Sequence, residues 1–451
     1  MQSASNNKTT GLWQLSWPIG IELLLQFLMG TLDTMMVSRL GDQAVSGVGV
    51  ANQIIQTAMT LFTVINAGAG AILARMWGAG EWEKARKTAA IAIKINLAFG
   101  LAGGLFFVFA SGPVLRLMGI PAAVSPYAGS YLTFVGGGMA AVTLQLVINA
   151  LIRNTGNTKG PMLITLGMNL LHLGLNYGLI FGRGPFPALG VEGTAISTVV
   201  SRLAALVFAL QLLWKTFTPR MQRSDWRGMD RGLLKEILGI GLPVSVTAMS
   251  WGFSQIVLLS ILSSMGPDTL ASYTYVQTVE QFPWMLSSAI GSALAIQIGH
   301  AYGAGRHDLV YKGPVKAIAI GTALALATST GLWIAGRPVL RAFISSPDIL
   351  DLSVPLLAVC ILWQALRVNA FCLSGSLNII GEARPVAVLT VIGMWLISTG
   401  GAYLLGVSAG WGVAGVLAAM ILDEAVRGAY FAHRWRRRRP TEIHAAAAAR
   451  G

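Results

Sequence analysis

Apolar runs of about 20 residues or more recur twelve times along this chain, near 12–38, 47–76, 89–115, 126–151, 161–182, 190–214, 235–263, 272–301, 314–341, 352–379, 386–407 and 411–433. Each is long enough to cross a hydrocarbon layer roughly 30 Å thick. Such segments must be helical, because lipid offers no partner to open backbone, and they lack the alternation of barrel strands. The pattern predicts an all-α integral membrane protein of twelve transmembrane helices.

The polar and turn-forming positions between the runs repeat at an offset of 225 residues. Pro18 matches Pro243, Gly41 matches Gly266, and Gly78-Ala79-Gly80 returns as Gly303-Ala304-Gly305. Val114-Leu115-Arg116 returns as Val339-Leu340-Arg341, and Gly156 with Lys159 returns as Gly381 with Arg384. The longest strongly polar stretch between spans, Lys215 to Lys235, lies between the copies. The expected organisation is therefore an N-lobe over 1–214 with helices 1–6, a cytoplasmic linker over 215–235, a C-lobe over 236–433 with helices 7–12, and a basic cytoplasmic tail over 434–451. Six spans per copy set both copies in the membrane in the same direction, a parallel repeat of the kind that transporters use for alternating access.

Polar residues inside these spans are costly, about 2.5 to 3.5 kcal/mol for an acid at the bilayer centre, so each needs a reason. The first span holds Glu22, Gln26 and Asp33, whose spacings of four, seven and eleven place them near one helical stripe. The fifth holds Asn169, His172 and Asn176, again on one face. Amide and imidazole groups near a carboxylate can hold a cation or relay a proton. The offset puts Leu258 opposite Asp33, and Met394, Ile397 and Gly401 opposite the three of the fifth span, none of them polar in side chain. The repeat therefore isolates ion chemistry in the first copy. Thr198 is less clean, since Asp423 stands opposite it. Gln145 and Asn149 line one face of the fourth span, while Gln255, Glu280, Gln364 and Arg367 belong to the second copy. Glu280 and Arg367 are expected either to form an internal ion pair or to meet substrate, and Asp423, Glu424 and Arg427 to pair among themselves. Soft and aromatic side chains such as Met36, Trp251 and Tyr273 suit a cavity for varied apolar cations.

Composition supports this class. Apolar residues make up 54% of the chain, charged ones 11%, and the mean hydropathy is +0.64. The net charge of +14 does not point to nucleic acid, because its distribution follows topology. Connections after even-numbered spans carry most of the cations, among them Lys84, Arg86, Lys87, Arg153, Lys159, the run Arg220 to Lys235, Arg306, Lys312 and Arg384, whereas those after odd-numbered spans carry little beyond Arg39, Arg116, Arg183, Arg337 and Arg341. By the positive-inside rule the even connections and both termini are cytoplasmic in the cell membrane, and the basic tail from Arg434 to Arg439 faces anionic lipid. The polar opening MQSASNNKTT shows no cleavable signal. Cys360 and Cys372 lie twelve apart in one predicted helix, too far to bond each other. Walker, GxSxG and HExxH motifs do not occur, so no enzyme activity, ATP-driven step or cofactor is expected.

The segments LDTMMVSRLG at 32–41, the GAG turns at 78 and 303, RNTGNTKGPM at 153–162, NYGLIFG at 176–182 and GVEGTAIST at 190–198 resemble the multidrug and toxic compound extrusion family over nearly the whole chain. The resemblance implies two pseudo-symmetric six-helix bundles in a V and export of cationic or amphipathic compounds in exchange for H+ or Na+, by a monomer in contact with membrane lipids. It assigns Asp33, Asn176 and Thr198 to a cation site in the first lobe, with His172 where relatives often carry Asn. The metal ligands in a Na+-coupled protein would be Asp33, Asn176 and Thr198, a hard-oxygen set; the imidazole favours H+. Asn169 joins this coupling set as a candidate. The substrate-cavity candidates are Glu22, Gln26, Met36, Gln145, Asn149, Trp251, Gln255, Tyr273, Glu280 and Arg367. A flippase for lipid-linked precursors or polysaccharide, from the same superfamily, is the alternative, and would need a cationic cavity.

Overall fold

The computed structural model describes residues 11–60 and 62–448, with side chains through Arg438; the opening decapeptide, Arg439 and the rest of the tail's side chains lie outside this description. The described residues are helical, without strands. In chain order the helices are α1 (Leu12–Val37), α2 (Asp42–Thr60), α3 (Thr63–Ala79), α4 (Trp82–Leu117), α5 (Ser125–Tyr131), α6 (Met139–Asn154), α7 (Lys159–Phe181) and α8 (Val191–Thr216), then α9 (Arg231–Ser264), α10 (Pro267–Gly303), α11 (His307–Ile334), α12 (Gly336–Arg341), α13 (Pro347–Ile379), α14 (Ala383–Ile392) and α15 (Gly412–Ala448). Two π-helical stretches, Gly393–Gly400 and Ala402–Ser408, continue α14.

Among the described residues nine helical segments are long and apolar enough to span a membrane, and two bent pairs, α2 with α3 and the Ser125–Gly136 segment with α6, raise this to eleven. The second pair bends by 52° where Gly137 and Gly138 interrupt it. The twelfth expected span is α15, whose apolar turns are broken by Asp423, Glu424 and Arg427. Arg427 Nη2 lies 2.8 Å from Asp423 Oδ2 and 2.8 Å from Glu424 Oε1, so the charges neutralise one another inside the span as expected. α15 continues through position 434 without a break, so the tail begins as more of the same helix.

The repeat is visible in backbone conformation. Gly41 and Gly266, after α1 and α9, have φ of 111° and 116°, and Gly156 and Gly381 both have φ of 94°. A side chain is strained at these angles, which is why glycine survives at matched positions while apolar residues drift. Pro18 and Pro243 sit inside α1 and α9.

The described residues divide into two compact units, one of Ile21–Trp77 with Glu81–Gly241, the other running from Leu242 onward together with residues 11–20 and Gly78–Gly80. The first is built around Val37, Val48, Ala51, Phe107, Leu132 and Met139, the second around Leu258, Leu262, Val276, Leu357, Val416 and Leu417. The 215–235 stretch belongs wholly to the first unit and is not a free tether. Phe217 is buried edge-on against Trp77 at 5.4 Å. Asp225 is buried with its Oδ2 accepting from Arg86 Nε at 2.9 Å and from the Gln222 amide at 2.7 Å, and Lys94 Nζ donates to the carbonyls of Trp226 and Gly228. Both cysteines are free, as their spacing requires.

Candidate functional site

The first unit brings an acid from α1 against an imidazole and an amide from α7. α7 ends at Gly182, whose left-handed φ of 65° caps the helix, and Asn169, His172 and Asn176 lie along one of its faces. Opposite them α8 presents Thr194, Ser197, Thr198 and Ser201, a hydroxyl stripe at three-and-four spacing. All of these side chains except Asn169 are buried, as is Asp33, 7% exposed.

His172 Nε2 lies 2.6 Å from Asp33 Oδ1, and Asn176 Nδ2 donates to the same oxygen at 2.6 Å. The Asn176 Oδ1 on the other side of the amide accepts from Ser197 Oγ. His172 Nδ1 faces the hydroxyls of Ser197 at 3.4 Å and Ser201 at 3.3 Å. Each hydroxyl has one proton. Ser201 directs its own to the Ser197 carbonyl at 2.6 Å, and Ser197 directs its own to Asn176. Their lone pairs are thus free to accept from a proton on Nδ1, while Nε2 faces the Asp33 carboxylate.

Two coupling candidates stand apart from this centre. Asn169 Nδ2 donates to the Leu25 carbonyl at 2.6 Å and so joins α7 to α1. Thr198 donates to the Thr194 carbonyl at 2.9 Å and sits beside Tyr131 rather than on Asp33. The hard-oxygen set expected for Na+ is therefore not gathered: the Asn176 carbonyl is turned to Ser197 and the Thr198 hydroxyl to backbone. Sequence reading missed Ser197, Ser201 and the buried Tyr131. The hydroxyl spacing in α8 could have flagged the serines, whereas nothing in the short helix α5 singles out Tyr131.

The cavity candidates fall into two groups. In the first unit, Glu22 is buried and ion-paired with Arg153 at 3.0 Å, and Gln145 is buried, accepting from Arg202 Nη1 at 2.8 Å. Asn149 is buried with its Oδ1 unpartnered among the described residues, Met36 is half-buried and Gln26 is exposed, so the Glu22–Gln26–Asp33 stripe does not share one environment. In the second unit, Tyr273 is buried and donates to Gln255 Oε1 at 3.4 Å, while Trp251 is exposed. Of the two readings of Glu280 and Arg367, an internal ion pair or contact with substrate, the ion pair is not formed among the described residues. Glu280 accepts from Gln364 Nε2 at 2.9 Å and keeps a buried, unpartnered Oε1. The Arg367 guanidinium instead stacks on Trp284 at 3.7 Å from the ring centre, with Trp363 at 4.9 Å, and an aromatic face satisfies a cation without a second desolvated charge.

At the positions equivalent to the α1–α7 centre the second unit is different in kind. Leu258 is buried in the apolar cluster, and Met394, Ile397 and Gly401 fall in or between the two π-helical stretches, where the helical faces of α7 are not reproduced. Asp423, opposite Thr198, is paired with Arg427, which stands opposite Arg202.

Comparison with known proteins gives the same picture. The MatE family model matches twice, over residues 18–178 and 243–404, which restates the 225-residue repeat. An uncharacterized transporter of Bacillus subtilis, YisQ, is 32% identical over 432 residues, covering 96% of this chain and 95% of that protein. The multidrug resistance protein PmpM of Pseudomonas aeruginosa is 25% identical over 87% of this chain and 83% of its own length, and the probable multidrug resistance protein NorM of Thermotoga maritima 23% identical over 85% and 82%. Among solved structures, an outward-facing multidrug resistance MATE family transporter of the MOP superfamily superposes with a TM-score of 0.88 over 96% of each chain at 22% identity, which fixes the two-lobed helical fold. The chain belongs to the MatE family of multidrug and toxic compound extrusion transporters.

Proposed function

We propose that this protein is a secondary active antiporter of the cytoplasmic membrane, with both termini inside, that exports cationic or amphipathic compounds by alternating access in exchange for H+. The observation that carries the reading is the buried pair of Asp33 and His172 at 2.6 Å, with the Ser197 and Ser201 hydroxyls facing the far side of the ring. A proton held on this pair leaves an imidazolium bonded to a carboxylate; its release leaves a lone carboxylate beside a neutral ring, which must redistribute its hydrogen bonds with Asn176 and the α8 serines. Such a change biases α1 between arrangements, and a cargo that prefers one of them then competes with the proton. H+ is favoured over Na+ because an imidazole, a group able to carry a proton, lies directly on Asp33 at 2.6 Å.

The test is efflux of a fluorescent cation from proteoliposomes under an imposed pH gradient and, separately, an imposed Na+ gradient. We expect the pH gradient alone to drive export and Asp33→Asn to abolish it without loss of folded protein; export that persists in that variant removes Asp33 from the coupling role.

A second reading, a flippase for an acidic lipid-linked precursor, is favoured by one feature: Arg367 makes no hydrogen bond or ion pair among the described residues. Arg202, another cation deep in a span, is already held by Gln145, and Arg427 by Asp423 and Glu424. Flipping of a labelled polyprenyl pyrophosphate that Arg367→Ala eliminates would establish it over drug export.

A further inference from the structure

α11 and α15 each pack along α13 but scarcely touch one another, and between them lies a partly open cavity of about 500 Å3 within the second unit. Leu366, Asn369 and Leu373 of α13 form its floor and Pro314, Val315 and Ile318 of α11 one wall. The α15 wall is cut low by Ala425, Gly428, Ala429 and Ala432, and a Cβ placed on Gly428 would meet no atom within 4 Å. From Glu424 at the inner end to Arg436 at the outer end is twelve residues of helix, about 18 Å.

The two ends differ in chemistry. At the inner end the charge of Glu424 is taken by Arg427 at 2.8 Å, so a cationic occupant gains little there. At the outer end Arg434 and Arg438 are both committed to Glu382, whereas Arg436 is exposed and makes no hydrogen bond or ion pair among the described residues. Next to it Trp435 is buried, 6% exposed, and its indole N–H has no acceptor among the described residues; its ring lies 5.0 Å from that of Tyr311, an aromatic pair of the kind that marks a membrane interface.

We propose that this groove is a built site for one anionic phospholipid. The headgroup phosphate accepts from Arg436, beside the Trp435–Tyr311 aromatic pair, and one acyl chain lies along the small-residue wall of α15 towards Glu424. Basic pockets between helices on the cytoplasmic side are where acidic headgroups bind, and the length of the apolar lining suits an acyl chain better than a compact drug. Only the choice of leaflet, the cytoplasmic one, rests on the topology proposed above.

Native mass spectrometry of the full chain released from nanodiscs of dioleoyl phosphatidylglycerol mixed with dioleoyl phosphatidylcholine tests this. One phosphatidylglycerol should be retained in preference to phosphatidylcholine. Arg436→Ala should weaken that retention about fivefold, the effect of one surface arginine on an acidic lipid, and Gly428→Leu, or Ala432→Trp should that variant fold poorly, should expel the lipid while the melting temperature stays near that of the parent. Equal retention of both lipids, or wild-type retention in all variants, overturns the proposal. So does displacement of the lipid by ethidium in the parent protein, which would make the groove a cargo site. Binding is read here without transport, so failure of the lipid site and failure of H+ coupling are separable.

Discussion

A carboxylate on α1 meets an imidazole and an amide on α7, and α8 closes the shell with hydroxyls, so the role of each residue depends on its partner. His172→Asn removes the ring that links Asp33 to the α8 hydroxyls. It should lower gradient-driven efflux in proteoliposomes while leaving folded yield near that of the parent; unchanged efflux would show that the ring takes no part in coupling. Ser197→Ala removes the donor to Asn176 Oδ1 and one acceptor facing His172 Nδ1. The expected cost is about 1 kcal/mol in stability, with a larger effect on coupling than on cargo affinity. Asp33, His172 and Asn176 were legible in the sequence because polar residues in lipid-length runs stand out and because their counterparts Leu258, Ile397 and Gly401 are not polar in side chain. Asn169 and Thr198 share the same helical faces, yet a face fixes direction only to within a turn. Which oxygen each finds was settled by the packing of α1, α7 and α8.

In the polar stretch between the repeats, expected to be the cytoplasmic linker, Asp225 is buried and paired with the buried Arg86 at 2.9 Å. Asp225→Ala would leave the Arg86 charge buried and alone, a loss on the order of 3–5 kcal/mol. Limited proteolysis should then cut between 217 and 230 in the variant and spare the parent. At the end of α13, Glu382 is a second clamp. Burial alone would raise its carboxyl, but the hydrogen bonds and charges of Arg434 and Arg438 outweigh burial and hold it below the usual carboxylate range. A depressed value in the folded state means that the clamp stabilises fully above the ordinary carboxylate range and fades as pH falls through the folded value. Melting in detergent should therefore show an acid-side loss that Glu382→Gln flattens, with a lower melting temperature for that variant at neutral pH. The π-helical run from Gly393 to Ser408 was not foreseen, since its sequence is as apolar as any other span.

At the scale of the molecule, the 225-residue repeat is the feature read most completely from the chain. Gly41 with Gly266 and Gly156 with Gly381 keep the same backbone angles, and one family model fits both halves. Duplication supplies two lobes; the buried Asp33–His172 pair belongs to one. Substitutions in the second copy, such as Leu258→Asp, should not create a second coupling site, because Leu258 is buried in an apolar cluster where a new acid is costly. Such a variant should lose folded yield, and the number of protons exchanged per cargo, measured in proteoliposomes, should not rise. Sequence by itself determined the membrane class, the helical spans, the repeat and the acid that the repeat does not copy, because hydrophobic length and the angles open only to glycine are local properties of the chain. Tertiary structure alone decided that Asp33 pairs with His172, that Asn176 turns its amide nitrogen to the acid, that Arg367 rests on tryptophan instead of Glu280, and that a groove opens between α11 and α15. Those outcomes depend on which helices approach and at what depth, and hydrogen bonds and ion pairs form only within about 3 to 4 Å, a distance that no spacing along one helix can specify.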